Sequence, residues 1–390
     1  MNFYFLLIDK LLRNFILTSI YYLAYILLPI TKLIAIHLFD SAGIKINGSA
    51  ECDPRVEDNR FYAYFIAYSI DGLAHAYKAK FFECNDVNQF LQLICIKLQR
   101  IICYHPAVLL PSIATRCFLL PSFDEMYDCT VVEHDTEKDT EYWKGENEYP
   151  AYSTCCWDNV DNIKDAYEQK LDIVARKLKL QRGMKLLDIG CGVGVLCRHL
   201  AEKYGVSAIG VNISNEQIEK AKQICTGLDV DFEHKDMLQV RGIYDRITCI
   251  LCSEFAGIVK YRNFFETVHS CLTEGGLFLL EVISSRHFPY PTTIGFVEEQ
   301  VMSKFSFPYD GDIIKCAKDL FVIEEWQNIT DQEIRTCEER IKILNQKYGK
   351  HIESSNDEVM ARGAKFSMAL QQSFCQSGYY QFYRIVFSKI

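Results

Sequence analysis

The apolar run Lys185-Leu186-Leu187-Asp188-Ile189 ends in Gly190-Cys191-Gly192-Val193-Gly194, and a helical pattern starts at Val195. Glycines here let the chain turn tightly and bring backbone N–H groups up to a ligand at a helix N-terminus. The spacing is GxGxG, not GxGxxG, and Asp188 stands two residues ahead of the first glycine. A carboxylate there suits a cationic group, such as an amino-acid ammonium, better than a pyrophosphate. The plain alternative is an ordinary strand-to-helix turn. Other chemistries find less support. His134, His199, His234 and His287 have no metal-ligand spacing, so no metal site is expected. No GxSxG elbow or Ser/His/Asp arrangement stands out, which disfavours an acyl hydrolase.

Strands and helices alternate around this loop. MKLLDIG, VSAIGVNI, VDFEHKD, YDRITCI and GLFLLEVIS read as strands. Asp165 to Leu178, Val195 to Tyr204, Asn215 to Cys225 and Tyr261 to Cys271 read as helices. That alternation implies a parallel sheet with right-handed crossovers, an α/β fold. An acidic residue, Asp236, ends the third of these strands.

The preceding residues are organised differently. From Asn14 to Thr31 no side chain is charged, which is close to the roughly 20 apolar residues that span a bilayer. A membrane anchor, an interfacial helix bent near Pro29, a signal peptide and a buried helix all stay open. We divide the chain into a hydrophobic membrane-associating segment at 1–35, a helical lipid-access domain at 36–123, an acidic linker or lid at 124–150 and the α/β domain at 151–390. Within the second, Val87 to Leu98 reads as an amphipathic helix.

LLDIGCGVG with the acidic tip at Asp236 resembles class I S-adenosylmethionine-dependent methyltransferases. SAGIKING, FFECND, YSTCCWDNVDNI, KLKLQRGMKLLDIGCGVG, GVNISNEQ, YDRI, SEFAG, GGLFLLEVI, FVIEEW and the terminal VFSK resemble, in that order from residue 36 to 390, cyclopropane-fatty-acyl-phospholipid synthases. The resemblance implies a class I methyltransferase Rossmann-like sheet with a small N-terminal helical domain. It implies S-adenosylmethionine as cofactor and methyl(ene) transfer to double bonds of phospholipid acyl chains. By position, Tyr152, Ser153, Gly190 and Gly192 would meet the amino-acid end of the cofactor, Asn212 and Gln217 the ribose, and Asp236 the adenine edge. Where the family usually has Thr, Asn212 stands. Helix capping is the plain alternative for Asn212 and Gln217.

The family holds a bicarbonate base with a Cys backbone, a Glu, a His, an Ile backbone and a Tyr. This chain departs from that set: it has Thr154 for the Cys, Glu254 for the Glu, Glu281 for the His and Ile283 for the Ile, and the Tyr position falls at Glu333. The lid motif that reads YDLGND in relatives is DTEKDT, Asp135 to Thr140. A second carboxylate beside Glu254 disfavours an anion, since like charges about 4 Å apart repel by roughly 4 kcal/mol at an effective dielectric near 20. In one interpretation Glu281 replaces bicarbonate as the proton acceptor, sharing a proton with Glu254. In the other, chemistry is lost and a cofactor- or lipid-binding homologue remains.

Composition is consistent with this. The chain has 390 residues, 49% of them apolar, enough for two or three domains with real cores. A net charge of −9 argues against nucleic acid as partner, because phosphate neutralisation needs a basic face. The expected partners are membrane phospholipid and a membrane surface, with a homodimer left open. The 17 scattered cysteines read as reduced thiols, so the expected location is at a membrane with the active domain facing the cytosol.

Overall fold

The computed structural model describes residue 15 and residues 18–98, 153–286, 306–348 and 355–390. It divides into two compact units: 1–123 with 294–300 and 340–377, and 124–293 with 301–339 and 378–390. The expected 151–390 domain is therefore interrupted, because residues 340–377 group with the N-terminal unit.

In the first unit, α1 (Thr18–Ile26) and α2 (Leu28–Ala42) meet at 100°. Pro29 lies in the first turn of α2, where its missing N–H costs nothing. Buried Thr31 fixes the bend by donating to the carbonyl of Ala24 across it, at 2.8 Å. No single helix among the described residues is long and apolar enough to cross a membrane, whereas α1 and α2 together meet that test of length and composition as a bent pair.

The hairpin of β1 (Arg55–Val56) and β2 (Phe82–Glu83) brackets α3 (Arg60–Lys78), and α4 (Val87–Leu93) continues into a π-helical turn, Ile94–Leu98. Asp86 caps α4 by accepting from Gln89 N at 2.9 Å. Phe39, Phe61, Phe82 and Phe90 form the buried aromatic centre. The late helix α11 (Ser355–Gln376) joins this unit through Arg362. Its guanidinium lies over the Tyr77 ring and donates to the Tyr77 carbonyl at 2.7 Å and to Glu83 at 3.0 Å.

The second unit is a seven-stranded sheet in the order β5-β4-β3-β6-β7-β9-β8. Its strands are β3 (Lys185–Ile189), β4 (Ser207–Asn212), β5 (Val230–His234), β6 (Tyr244–Ile250), β7 (Leu272–Ser285), β8 (Phe321–Asn328) and β9 (Tyr380–Lys389). The first five are parallel, and β9 runs antiparallel to both β7 and β8. Alternate side chains enter two cores, as period two demands. Leu186 and Leu279 pack with α5 (Ile163–Lys177), α6 (Val195–Tyr204) and α7 (Asn215–Ile224); Leu187 and Leu280 pack with α8 (Tyr261–Cys271) and α9 (Asp310–Ala317). The remaining helix, α10 (Thr330–Tyr348), starts directly after β8, where Thr330 Oγ1 accepts from Phe382 N of β9 at 2.9 Å.

Candidate functional site

The three glycines after β3 all have positive φ, but each for a separate reason. A Cβ on Gly190 would strike Cys252 Sγ at 2.3 Å, so the loop presses on the segment after β6. A Cβ on Gly194 would strike Phe232 and Ala221 at 2.7 and 2.9 Å, which lets α6 close against β5 and α7. At Gly192 (φ 56°) a Cβ would meet nothing within 4 Å. Its backbone thus borders open space at the start of a helix, the kind of place where a chain can approach a ligand closely.

Asn212 ends β4 on the rim of that space. Its Nδ2 donates to Gln217 Oε1 at 2.7 Å and approaches the Gly192 carbonyl at 3.4 Å, while its Oδ1 accepts from Ile213 N at 2.8 Å. The helix cap is Ser214, whose Oγ accepts from Gln217 N at 3.2 Å. Asn212 and Gln217 therefore form one polar rim. Asp236 follows β5 beside them, since Lys235 N donates to the Asn212 carbonyl, and its carboxylate accepts from Leu238 N at 2.7 Å. An open glycine backbone, an amide pair and a half-buried carboxylate along three adjacent strand ends fit an elongated polar ligand such as S-adenosylmethionine.

Asp188 is placed otherwise than expected. It is 3% exposed, and its two oxygens accept from Thr248 Oγ1 at 2.7 Å and Cys197 Sγ at 3.6 Å. Burial pushes its pKa up, against the pull of the Thr248 hydrogen bond and the Lys170 charge. It braces β3 against β6 and α6 from within rather than presenting an open carboxylate.

Glu254 and Glu281 lie where β6 ends beside β7, with Ile250 opposite Glu281, and Glu333 lies on α10. Glu254 lies in the short turn after β6, and its Oε1 accepts from Ile283 N of β7 at 2.7 Å. Burial raises its pKa to about 7 against that hydrogen bond. Thr154 and Glu333, 179 positions apart, meet at 2.7 Å, Thr154 donating, and Cys337 Sγ donates to the other Glu333 oxygen at 3.4 Å. The position assigned to Glu333 by resemblance is thus beside Thr154.

Glu281 does not share a proton with Glu254. Arg384, directly opposite on β9, donates to its Oε1 at 2.7 Å, and its Oε2 has no hydrogen-bond partner. Behind this pair is Lys170 of α5, 2% exposed, which donates to Ser153 Oγ at 2.8 Å. Desolvation lowers its pKa, while Glu281 draws it upward. Arg384 and Lys170 escaped sequence reasoning. The available signals were an arginine inside the apolar strand QFYRIVF and a lysine on the apolar stripe of α5.

Tyr152, the 124–150 segment, His134 and His287 lie outside the described residues. Among the described residues no group of three His, Cys, Asp or Glu side chains could hold a metal ion.

A family model described as mycolic acid cyclopropane synthetase matches residues 133–385. The chain is 30% identical over 296 residues to the cyclopropane-fatty-acyl-phospholipid synthase of Escherichia coli K12, covering 76% of this chain and 77% of that one. The structure of cyclopropane synthase MmaA2 from Mycobacterium tuberculosis superposes with a TM-score of 0.58 at 21% identity, over 67% of this chain and all of that one. Coclaurine N-methyltransferase superposes at 0.61 and 18% identity, over 83% and 99%. These likenesses show the class I methyltransferase fold.

Proposed function

The chain belongs to the mycolic acid cyclopropane synthetase family, and from that premise we propose that it transfers a one-carbon unit from S-adenosylmethionine to the double bond of unsaturated phospholipid acyl chains. The observation that carries this reading is the placement of Glu254. An enclosed carboxylate stands one strand away from the glycine loop, held by the Ile283 amide and sparsely solvated. Bound at the loop, S-adenosylmethionine supplies an electrophilic methyl group on a sulfonium. Gly192 and the Asn212–Gln217 rim orient it, and the enclosed site excludes water from a cationic reaction path. Glu254 faces that path with a charge able to stabilise it.

The acyl substrate lies in a bilayer, and the N-terminal helices support access to one. The outer sides of α1 and α2 present a cluster of exposed Tyr, Leu and Ile side chains, while their inner sides are packed on the first unit. We place this bent pair at the membrane surface, with the catalytic unit on the cytosolic side. The described cysteines are all free thiols, which supports a reducing compartment.

Mass spectrometry of phospholipids from expressing cells tests the activity. A gain of one methylene per unsaturated chain is the expected result. An unchanged lipid profile from a chain that still binds S-adenosylmethionine would sink catalysis and leave a binding homologue.

A further inference from the structure

In the acidic part of the site, four donors are turned to oxygens of the chain itself. Thr154 serves Glu333, the Ile283 amide serves Glu254, Arg384 serves Glu281 and Lys170 serves Ser153. At the positions that the resemblance assigns to an anion site, an inorganic anion such as bicarbonate would need those donors, and the carboxylates there, Glu254, Glu281 and Glu333, are all buried. Bicarbonate does not fit this arrangement.

The three carboxylates are not equivalent. Glu281 leaves Oε2 without a hydrogen-bond partner but is tied through Oε1 to the buried Arg384 guanidinium, and both oxygens of Glu333 accept hydrogen bonds. Glu254 spends Oε1 on the Ile283 amide, while the side-chain contact to its Oε2 is a long one from Ser253 Oγ, at 3.4 Å, and its own backbone amide also lies near the carboxylate. We propose that Glu254 is itself the proton acceptor of the reaction and that ring closure in this chain uses no inorganic anion. This rests on the methyl-transfer reading above.

The step balances. The alkene π pair bonds to the donor's methyl carbon as the carbon–sulfur bond breaks toward sulfur, leaving a cation on the second alkene carbon. One C–H bond of the new methyl group then breaks. Its electron pair closes the three-membered ring, and its proton goes to Glu254 Oε2, which later passes it to solvent. A base works best with a pKa near the working pH, and Glu254 is pushed up to about 7 by burial. Its titratable neighbours, Tyr261 on α8 and Cys249 on β6, are raised by burial and stay neutral there.

The test uses full-length protein on vesicles of unsaturated phosphatidylglycerol, in buffer stripped of carbon dioxide, with and without added bicarbonate. The two rates are expected to agree within about twofold, and Glu254→Gln to lose about 10²–10⁴-fold in turnover while still binding S-adenosylmethionine. Calorimetry in two buffers of unlike ionisation heat gives a readout independent of turnover. At about pH 7, S-adenosylmethionine binding should release protons from the wild type, as the sulfonium charge ionises Glu254, and none from Glu254→Gln. A tenfold fall without carbon dioxide that bicarbonate restores overturns this inference alone, as does equal proton release by the two proteins. A chain that binds the cofactor yet transfers nothing in either buffer overturns the methyl-transfer reading as well.

Discussion

Arg384 and Glu281 face each other across the β7–β9 pair, joined at 2.7 Å with exposures of 3% and 0%. A charge pair this deep is held by mutual compensation, and removing one partner leaves the other stranded in a poorly solvating interior. Arg384→Leu should therefore destabilise the fold by about 3–5 kcal/mol. Replacing both by leucine should recover most of that loss, because an apolar pair of similar volume removes the desolvation cost altogether. Urea unfolding of the two variants checks this. A single variant as stable as the double one would mean that the ion pair does not hold Glu281.

The sequence-visible parts are those with local periodicity. The boundaries of α6, β6 and α8 follow directly from their apolar spacing, since an amphipathic helix or a buried strand writes its period into consecutive residues. The charge compensation was invisible for the opposite reason. Glu281 and Arg384 are 103 positions apart, and only the strand order that inserts β9 beside β7 brings them together. Lys170 misleads in a similar way: a lysine on an amphipathic helix reads as solvated, yet this one is buried beneath Ser153. Asp188 was recognisable as important, but the two groups that enclose it, Thr248 and Cys197, come from other elements.

Gly192 and Gly194 should separate affinity from stability. Both have positive φ, so alanine at either costs on the order of 1–2 kcal/mol in backbone strain. At Gly194 the new Cβ also collides with Phe232 and Ala221, and unfolding should occur at markedly lower urea. At Gly192 the methyl group projects into open space, so the stability loss should stop at the strain. Its larger effect should be on S-adenosylmethionine affinity, weakened by about tenfold or more as the methyl group takes ligand space. Equal affinities for Gly192→Ala and wild type would place the cofactor elsewhere.

Glu254 makes stability depend on pH in a defined direction. Its folded value of about 7 lies above its ordinary 4.5, so the fold favours the protonated form. The contribution is fully present below pH 4.5 and is lost as pH rises through about 7. Relative to Glu254→Gln, which stays neutral throughout, the wild type should lose up to about 3 kcal/mol across that window. Urea melts of both proteins at each end of the window measure the difference. Parallel curves would show that Glu254 is solvated and ionised in the folded state.

The N-terminal helices give the last prediction. Eight large apolar side chains between Phe15 and Leu33 are exposed, including Ile26 at 74% and Leu33 at 69%, and the only charged residue described there is Lys32. Singly exposed apolar residues are ordinary, but a contiguous set on two helices is not. The inner face is anchored, with Tyr21 against Tyr64 at 5.1 Å and Thr31 locking the bend, so the outer face cannot turn inward without breaking those contacts. A rigid 100° bend suits shallow insertion into one leaflet, with the tyrosines at headgroup depth. Ile26→Glu with Leu33→Glu should abolish co-flotation with phosphatidylethanolamine–phosphatidylglycerol vesicles and leave urea unfolding unchanged, because neither side chain is packed. Tryptophan placed at Leu23 or Leu33 should be quenched by bromines high on the acyl chains more than by those near the bilayer centre. Deepest quenching at the centre would indicate a span, and unaltered flotation of the double variant would remove these helices from the membrane contact.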